Sequence, residues 1–513
     1  MNYKSALLLA LVCGAIACKK SVNEEISVLE TASVKREVKK EDPSHFVPIG
    51  SIDIGETGAA EVSAFDSKTN RLFVVNNGIV NKIDVLDFSN PSVPVVIGSI
   101  SMQPYGGAVN SVAVSDGKLA AAIEANNKQE NGKVVVFDTG NYNEVAIVNV
   151  GALPDMITYS PDGKQIITAN EGEPNSSYTI DPFGTVSIIS VKDNYAVTTL
   201  DFSSFASQQA LLQSKGLRVF GRNASFAQDI EPEYVTVSDD SRTAWVTLQE
   251  NNGIAKIDLR SQTITNIFPL GFKNYNLPGN AIDPSDRPLG TILFNSWPVY
   301  GMYQPDAIAV LMDKNMPYLF TANEGDARDY KGFSEEAKVG SLSLDATVFP
   351  NAANLKLPEN LGRLTVTKTL GNIDGDADYD ALYSFGARSF SIWNGISGEQ
   401  LYDSKNELEQ KAVAAKFYDD DRSDSKGVEP EGIALGMVNK KPLLFIGMER
   451  ADAVSIYDVS DPLHPKFLQI LKTGDAPEGV LFISEKDSPI KRSLLVVSSE
   501  NDGVISIYAP AAL

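Results

Sequence analysis

Short runs of β-branched and aromatic residues alternate with turn residues along most of the chain, from residue 46 to the end. Two stretches align closely: 153–164 and 231–242 each begin a first apolar run and continue into a second that ends in an acid, Glu171 or Glu250. Asp-Gly, Asn-Gly and Ser-Pro-Asp-Gly turns separate the runs, as in β-hairpins. The pattern predicts an all-β chain.

The aligned unit recurs roughly every 45 to 80 residues, with four short strands in each copy. This period is typical of WD40-like or YVTN-like blades of a β-propeller. Tandem immunoglobulin-like domains would repeat at about 100 residues and need linkers. Seven clear copies and a degenerate one at 383–393 predict a single β-propeller of four-stranded blades, seven or eight in number. We favour seven, because the degenerate copy fits within an elaborated blade.

The spacing of the copies also predicts insertions and closure. The longer gaps place insertions near 196–230, 260–300 and 326–370. The last copy has no fourth strand after it, whereas residues 47–55 have the character of such a strand. We expect this N-terminal strand to complete the last blade and close the ring without an open edge.

Two acids recur at equivalent points of the repeat. In a propeller the first strand of a blade lines the channel and the second runs back beside it, so both points lie on one face. Those before the first strand are Glu61, Asp155, Glu233, Asp306, Glu431 and Glu478, and those after the second are Glu124, Glu171, Glu250, Glu324, Glu449 and Glu500. They are predicted to ring one mouth of the channel.

Two interpretations of this acidic ring stay open at the level of sequence. Each acid accepts backbone N–H bonds and fixes its own turn, or the ring binds a cation or a basic ligand, which we favour for the ring as a whole. Four arginines in or near the same turns, Arg328, Arg388, Arg422 and Arg450, are candidate anion-binding residues.

A second acidic motif spaces oxygen ligands at alternate positions of a Gly-containing loop. Asp374, Asp376, Asp378 and Asp380 suit calcium, which prefers six to eight oxygen ligands. Counted from Asp374, position six is Tyr379, so the EF-hand pattern is incomplete. The loop is a candidate calcium site, and a solvated acidic loop is the alternative.

Charge and histidine content narrow the function. A formal charge of −22 repels nucleic acid and anionic surfaces, so nucleic acid is excluded as a partner, while a protein, a glycan or a cationic ligand stays open. The chain has two histidines, His45 and His464, which makes a Ser-His-Asp triad or a His-rich zinc site hard to assemble. The catalytic residues are unknown, and a non-enzymatic role is favoured.

The N-terminus has the features of an export signal. Lys4 precedes an apolar run that ends in Ala15-Ile16-Ala17, and Cys18 follows as in a bacterial lipobox. We predict a lipoprotein signal at 1–17, lipidation of Cys18 and thereby attachment to a membrane, a flexible tether at 18–45 and the propeller at 46–513. This predicts an exported protein on the outer membrane or cell surface of a Gram-negative bacterium. An ordinary cleaved signal is the alternative.

Several motifs together resemble the choice-of-anchor I β-propeller proteins, bacterial relatives of mesenchyme-specific cell-surface glycoprotein. They are Thr168–Pro174, Val246–Asn252, Thr321–Arg328, the 383–393 stretch and 421–432. The resemblance implies an exported propeller, and some members carry an alkaline phosphatase label without a defined active site. It supplies no catalytic residues.

Three hypotheses follow. The leading one is a lipid-anchored surface module for binding or adhesion, with a cation at its acidic mouth and calcium as the candidate cofactor. The alternative is a calcium-dependent phosphoester hydrolase that resembles β-propeller phytases. The third is a scaffold whose insertions contact other proteins.

Overall fold

A computed structural model describes residues 40–513. The predicted signal peptide, Cys18 and the tether up to residue 39 lie outside the described residues. The last tether residues, 41–45, belong to the first strand, so the ordered body begins earlier than residue 46. None of the described helices combines the length and the apolar character that crossing a membrane requires.

Strands account for most of the regular structure, as the alternating pattern predicts. In chain order they are β1 (Glu41–Asp53), β2 (Ser63–Asp66), β3 (Arg71–Asn76), β4 (Lys82–Asp87), β5 (Val95–Ser101), β6 (Val109–Ser115), β7 (Lys118–Ile123), β8 (Asn131–Asp138), β9 (Glu144–Ala152), β10 (Pro154–Tyr159), β11 (Gln165–Asn170), β12 (Thr185–Ser190), β13 (Ala196–Asp201), β14 (Pro232–Val237), β15 (Thr243–Leu248), β16 (Gly253–Asp258), β17 (Thr263–Pro269), β18 (Phe272–Asn274), β19 (Tyr300–Met302), β20 (Ile308–Asp313), β21 (Met316–Asn323), β22 (Asp329–Tyr330), β23 (Phe333–Ser334), β24 (Glu336–Lys338), β25 (Thr365–Thr367), β26 (Tyr383–Ser384), β27 (Ser389–Asn394), β28 (Gln400–Asp403), β29 (Pro430–Val438), β30 (Lys441–Met448), β31 (Ala453–Asp458), β32 (Lys466–Lys472), β33 (Pro477–Ile483), β34 (Leu494–Ser499) and β35 (Val504–Ala512).

Helices are few and short. They are α1 (Gln209–Gln213), α2 (Phe226–Asp229), α3 (Ala352–Leu355) and α4 (Glu407–Ala415), with 3₁₀ turns at Ser203–Gln208, Val339–Ser341, Asp420–Arg422 and Glu449–Ala451. All but the last of these segments lie in the connections between strands of different sheets or within the insertion of sheet 5, defined below.

The strands form seven four-stranded antiparallel sheets in the described residues. Sheets 1 to 4 are β2–β5, β6–β9, β10–β13 and β14–β17; sheet 5 is β20, β21, β27 and β28; sheet 6 is β29–β32; and sheet 7 is β33, β34, β35 and β1. This is the architecture of a β-propeller, which confirms the all-β prediction.

Hydrophobic side chains fill the space between neighbouring sheets. Separate buried clusters lie between sheets 1 and 2, 2 and 3, and so on, including one between sheets 7 and 1 that contains Leu72, Val74, Val496 and Ile507. The middle strands read as continuous apolar runs because sheets cover both of their faces. The outer strand β5 is mostly exposed instead.

The first strands of the sheets lie side by side around a centre. Strand β2 neighbours β6, and the succession continues through β10, β14, β20, β29 and β33, which neighbours β2. The N-terminal strand β1 pairs antiparallel with β35, with Phe46 opposite Pro510 and Ile52 opposite Ile505. The rings of Phe46 and Phe445 also pack together, with their centroids 5.4 Å apart, so β1 contributes to the hydrophobic cluster between sheets 6 and 7.

The insertions differ from their predicted limits. Strands β13 and β17 occupy the starts of the stretches assigned to 196–230 and 260–300, and complete sheets 3 and 4. The third insertion runs from β21 to β27, residues 324–388, and contributes to a separate five-stranded sheet. The degenerate 383–393 copy supplies β27, the third strand of sheet 5. A fourth insertion, 404–429, was missed.

Candidate functional site: an acidic channel mouth

A cavity of about 530 Å³ lies where the first strands of all seven sheets meet. Acids from five sheets line it directly: Asp155, Glu233, Asp306, Glu431 and Glu478. Sheet 2 presents Asn110 at the equivalent point. Glu61 from sheet 1 lies close enough to Glu478 for their charges to interact. The structure therefore brings the predicted first-strand acids together.

Four of these acids, Asp155, Glu233, Glu431 and Glu478, lie at a local irregularity of the backbone. In β10, β14, β29 and β33 the ladder with the second strand shifts register at the Pro-acid pair, so the acid sits in a β-bulge. Bulges redirect side chains near functional sites. The residue before the proline has a positive φ in four sheets: Leu153, Gln304, Glu429 and Ala476. Such conformations strain non-glycine residues and persist only where the surroundings impose them.

The second-strand acids surround the same mouth with varied partners. Glu124 accepts a backbone hydrogen bond from Ala108 at 3.2 Å, as the turn-fixing interpretation expects. Glu324 instead accepts from the side chains of Gln249 at 2.9 Å and Lys426 at 2.6 Å. The second oxygen of Glu250 is buried and accepts no hydrogen bond within the described part of the chain.

Burial and mutual repulsion raise the pKa values of the ring. Burial raises the pKa of Glu61 to about 8, with Glu500 and Asp155 adding repulsion. Burial raises the pKa of Asp155 to about 6, against the effect of a hydrogen bond with Glu233. The same causes, burial first, raise the pKa of Glu171, Glu233, Asp306, Glu431 and Glu478 well above ordinary values, that of Glu250 to about 8 and that of Glu449 to about 7. The charged forms of these carboxylates are therefore disfavoured where they crowd together at the mouth.

Three of these carboxylates form a compact group. Oxygens of Asp306, Glu324 and Glu431, which we call the first trio, all lie within 4.8 Å of one another. Two oxygens on opposite sides of one calcium ion are separated by about 4.8 Å, given Ca–O distances of about 2.4 Å. One oxygen of Glu431 is buried and accepts no hydrogen bond from any described residue. The first trio therefore has ligands of the right type and spacing for a divalent cation.

The four arginines fall into two groups. Arg328 and Arg388 are 1% exposed and pair with carboxylates: Arg328 with Asp229 at 2.6 Å, and Arg388 with Glu409 at 3.2 Å. Neither guanidinium is available to an anion, which corrects the prediction for these two residues. Arg422 and Arg450 are about one-third exposed and both approach Glu429.

Sequence reasoning missed several charged groups at the mouth. Lys426 contacts Glu324 and also lies 3.2 Å from Glu429, and Lys128 lies 3.5 Å from Glu124. Glu429 occupies the positive-φ position before Pro430, where other sheets have Leu153, Gln304 or Ala476. A comparison of the residue before the proline in each copy of the repeat would have identified Glu429 as an additional acid at the mouth.

The candidate calcium loop does not gather its four aspartates. Asp374 and Asp376 are exposed and accept the amide hydrogens of Asp376 and Asp378, at 3.2 and 2.8 Å. Carboxylate oxygens of Asp378 and Asp380 instead lie within 4.8 Å of one another and of an oxygen of Asp345, a residue that the spacing of the motif did not predict. The loop as a four-aspartate site is therefore not formed.

The sequence of the chain matches a known protein family. Residues 61–462 match the choice-of-anchor I domain. Gigasin-3a of Magallana gigas is 28% identical over 182 residues, which cover 29% of this chain and 64% of that protein. The mesenchyme-specific cell surface glycoprotein of Strongylocentrotus purpuratus is 26% identical over 354 residues, 57% of this chain and 44% of that protein. The chain thus spans less than two thirds of each curated relative.

Two solved structures align with most of this chain at low sequence identity. Kuenenia stuttgartiensis hydrazine synthase matches with a TM-score of 0.48 and 13% identity, over 90% of this chain and 97% of that chain. The β-propeller domain of Myceliophteria thermophila Cps50 (Swd1) matches with a TM-score of 0.46 and 9% identity, over 91% of this chain and all of that chain. The domain match covers most of the sequence and confirms the resemblance drawn from its motifs, so the chain belongs to the choice-of-anchor I family.

Proposed function

We propose that this chain is a cell-surface β-propeller that binds a divalent cation, with calcium the best candidate, at the acidic mouth of its channel. The observation that carries the proposal is the first trio. Three carboxylates from sheets 5 and 6 converge within 4.8 Å, and Glu431 keeps a buried oxygen without a hydrogen bond. Without a cation or protons, this arrangement costs free energy through repulsion and desolvation.

Water completes the ligand set in this proposal. Calcium takes six to eight oxygen ligands, and three carboxylates supply only part of them. The cavity of about 530 Å³ beside the first trio has room for several water molecules or for a ligand group that replaces them. The bound cation would then be the point at which an external anionic or polar ligand attaches to an otherwise negative surface.

The test is calcium titration of the purified full chain by calorimetry. Glu431→Gln removes one ligand charge at nearly constant shape and is expected to weaken calcium binding by 10-fold or more. Glu359→Gln makes the same chemical change at an exposed position and should bind like the parent. Equal affinity in the parent and Glu431→Gln, or no binding by the parent, contradicts the proposal.

The surface location rests on separate support. The family description and the printed name of one relative, a cell surface glycoprotein, point to the cell exterior. The first described strand begins at Glu41, whose carboxylate accepts hydrogen bonds from the backbone amide and the hydroxyl of Ser493. Ser493 directly precedes β34, and β34 ends beside Glu500 at the acidic mouth, so Ser493 lies on the opposite face. Lipid attachment at Cys18 is part of this proposal. Cys18→Ser should release the protein from membranes, and unchanged membrane association contradicts the lipid anchor.

The proposed architecture is a seven-bladed ring closed by β1. The seven four-stranded sheets, the clusters between every neighbouring pair and the pairing of β1 with β35 support it. A closed ring explains why acids from distant parts of the sequence share one mouth.

A phosphoester hydrolase is the second candidate. Its specific support is Arg450, which is about one-third exposed and whose guanidinium lies 2.9 Å from Glu449, beside the first trio. In this second proposal Arg450 holds a phosphate group of the substrate. Phosphate release from phytate or a simple phosphoester, present with calcium and lost in Arg450→Met, would support it. No turnover with any divalent cation excludes it.

A further inference from the structure

A second group of three carboxylates adjoins the first. Oxygens of Glu324, Glu429 and Glu449, which we call the second trio, also lie within 4.8 Å of one another. Glu324 belongs to both trios. Judged by spacing alone, the mouth has two adjacent cation positions that share one bridging carboxylate, as in two-metal sites.

The second trio already contains a positive group. The ammonium of Lys426 lies 2.6 Å from a Glu324 oxygen and 3.2 Å from a Glu429 oxygen. Glu429 is fully buried, and one of its oxygens accepts no hydrogen bond from the described residues although it faces Lys426 and Arg450. The ammonium therefore sits among oxygens that would otherwise serve as cation ligands.

Charge compensation separates the two trios. Three basic groups approach Glu429: Lys426, Arg422 with its Nε at 2.8 Å, and Arg450 with its Nε at 3.6 Å. In the first trio, Lys426 contacts only the shared Glu324, and no basic side chain of the described residues forms an ion pair with Asp306 or Glu431. Three basic groups therefore lie within 4 Å of carboxylates of the second trio, whereas the first has one, at the residue that the two trios share.

We propose that the ammonium of Lys426 is a resident cation that fills the second position, so that the mouth takes one divalent cation rather than two. The inference rests on the proposed cation site at the first trio. It assigns Lys426 a specific role: it sets the number of bound cations and keeps Glu324 oriented between the two trios.

Counting bound calcium in the full chain by equilibrium dialysis tests the inference. The parent is expected to bind one ion at the mouth, and Lys426→Met, which keeps the length of the side chain without its charge, is expected to bind one more. Lys426→Arg retains a positive group and should match the parent. Lys118→Met removes a lysine that pairs with Asp138 at 2.8 Å, at the end of β7 away from the mouth, and should also leave the count unchanged. Adding Glu449→Gln to Lys426→Met should remove the extra ion.

The outcomes separate this inference from the proposed function. A parent that binds no cation overturns both. A parent whose binding depends on Glu431, together with a Lys426→Met variant that binds no additional ion, overturns the inference alone. A Lys426→Met variant that folds only with calcium supports replacement of the ammonium by a cation, and one that fails to fold even with calcium contradicts it.

Discussion

The guanidinium of Arg328, in the third insertion, forms ion pairs with the segment that connects sheets 3 and 4. It contacts Asp229 at 2.6 Å and Glu231 at 2.8 Å, and all three side chains are at most 1% exposed. It also lies over the ring of Phe220, 4.5 Å from its centroid. Removing one partner of a buried pair leaves an uncompensated charge, which is the costly case for buried ions.

Arg328→Met should therefore lower the free energy of unfolding by about 3–5 kcal/mol. The matched control is Arg242→Met, where an exposed arginine lies 3.8 Å from Asp240 and should change the free energy by less than about 1 kcal/mol. Urea denaturation of both variants and the parent measures the difference. Similar losses in the two variants would show that the buried cluster contributes no special stability.

Glu61 makes stability depend on pH. Its folded pKa of about 8 lies above the ordinary value of 4.5, so the folded state retains a proton that the unfolded state loses. The contribution is fully present below pH 4.5 and is lost as pH rises through about 8. In chelator, the melting temperature of the parent should fall over this window.

Glu61→Gln should reduce that fall, because an amide does not titrate. Thermal melts from pH 5 to 9 with excess chelator are the measurement, and Glu359→Gln is the control. An identical pH profile for Glu61→Gln and the parent would contradict the raised pKa. A weaker fall in the parent when calcium is added would agree with cations taking over from protons at the mouth.

The close approach of two turns positions Glu324, the acid that both trios share. Gly386 has φ = 69°, and a side chain there would meet the carbonyl oxygen of Glu324. Its amide also faces Gln304, and its carbonyl accepts from Tyr275. The turn before β27 therefore holds the end of β21 in place.

Gly386→Ala should displace Glu324 and weaken calcium binding while most of the propeller still folds. The expected loss in affinity is 10-fold or more, read by calorimetry beside a circular dichroism spectrum. Gly290→Ala is a control with a similar φ of 79°, because a side chain there has open space around it. Unchanged affinity in Gly386→Ala would show that the contact does not set the position of Glu324.

The elements and their acids follow from sequence because each blade repeats its own local code. The Pro-acid pair at 154–155, 232–233, 430–431 and 477–478 marks the bulge of a first strand, so the ring of acids is predictable from spacing and strand direction. Non-repeating features are not. Lys426 is 102 residues from Glu324, and the partner of Arg328 is 99 residues away, so neither pair leaves a periodic signal. Asp345 likewise joins Asp378 only through the fold of the third insertion.

Strand β1 joins the first described residues to the C-terminal strand β35. It pairs with β35 at Glu41 and again from Phe46 to Asp53, and the backbone of Phe46 exchanges hydrogen bonds with the side chain of Gln469 at 2.7 and 3.0 Å. Without β1, sheet 7 keeps three strands and exposes the edge of β35, and exposed edges promote aggregation.

Deletion of residues 40–53 should lower the melting temperature by several degrees and promote association between copies. A synthetic peptide of the same residues, added in trans, should restore the melting temperature, whereas a peptide of scrambled order should not. Differential scanning calorimetry with light scattering gives both quantities. A deletion variant that melts like the parent would contradict closure by β1.

Anomalous diffraction from crystals soaked in Mn²⁺ or Tb³⁺ would show whether the three carboxylates of the first trio hold a cation. We expect one strong anomalous peak at the mouth, from an ion bonded to oxygens of Asp306, Glu324 and Glu431 at about 2–2.6 Å, with Lys426 still beside Glu324. An empty mouth in crystals whose ions bind elsewhere, such as beside Asp345 and Asp378, would contradict it.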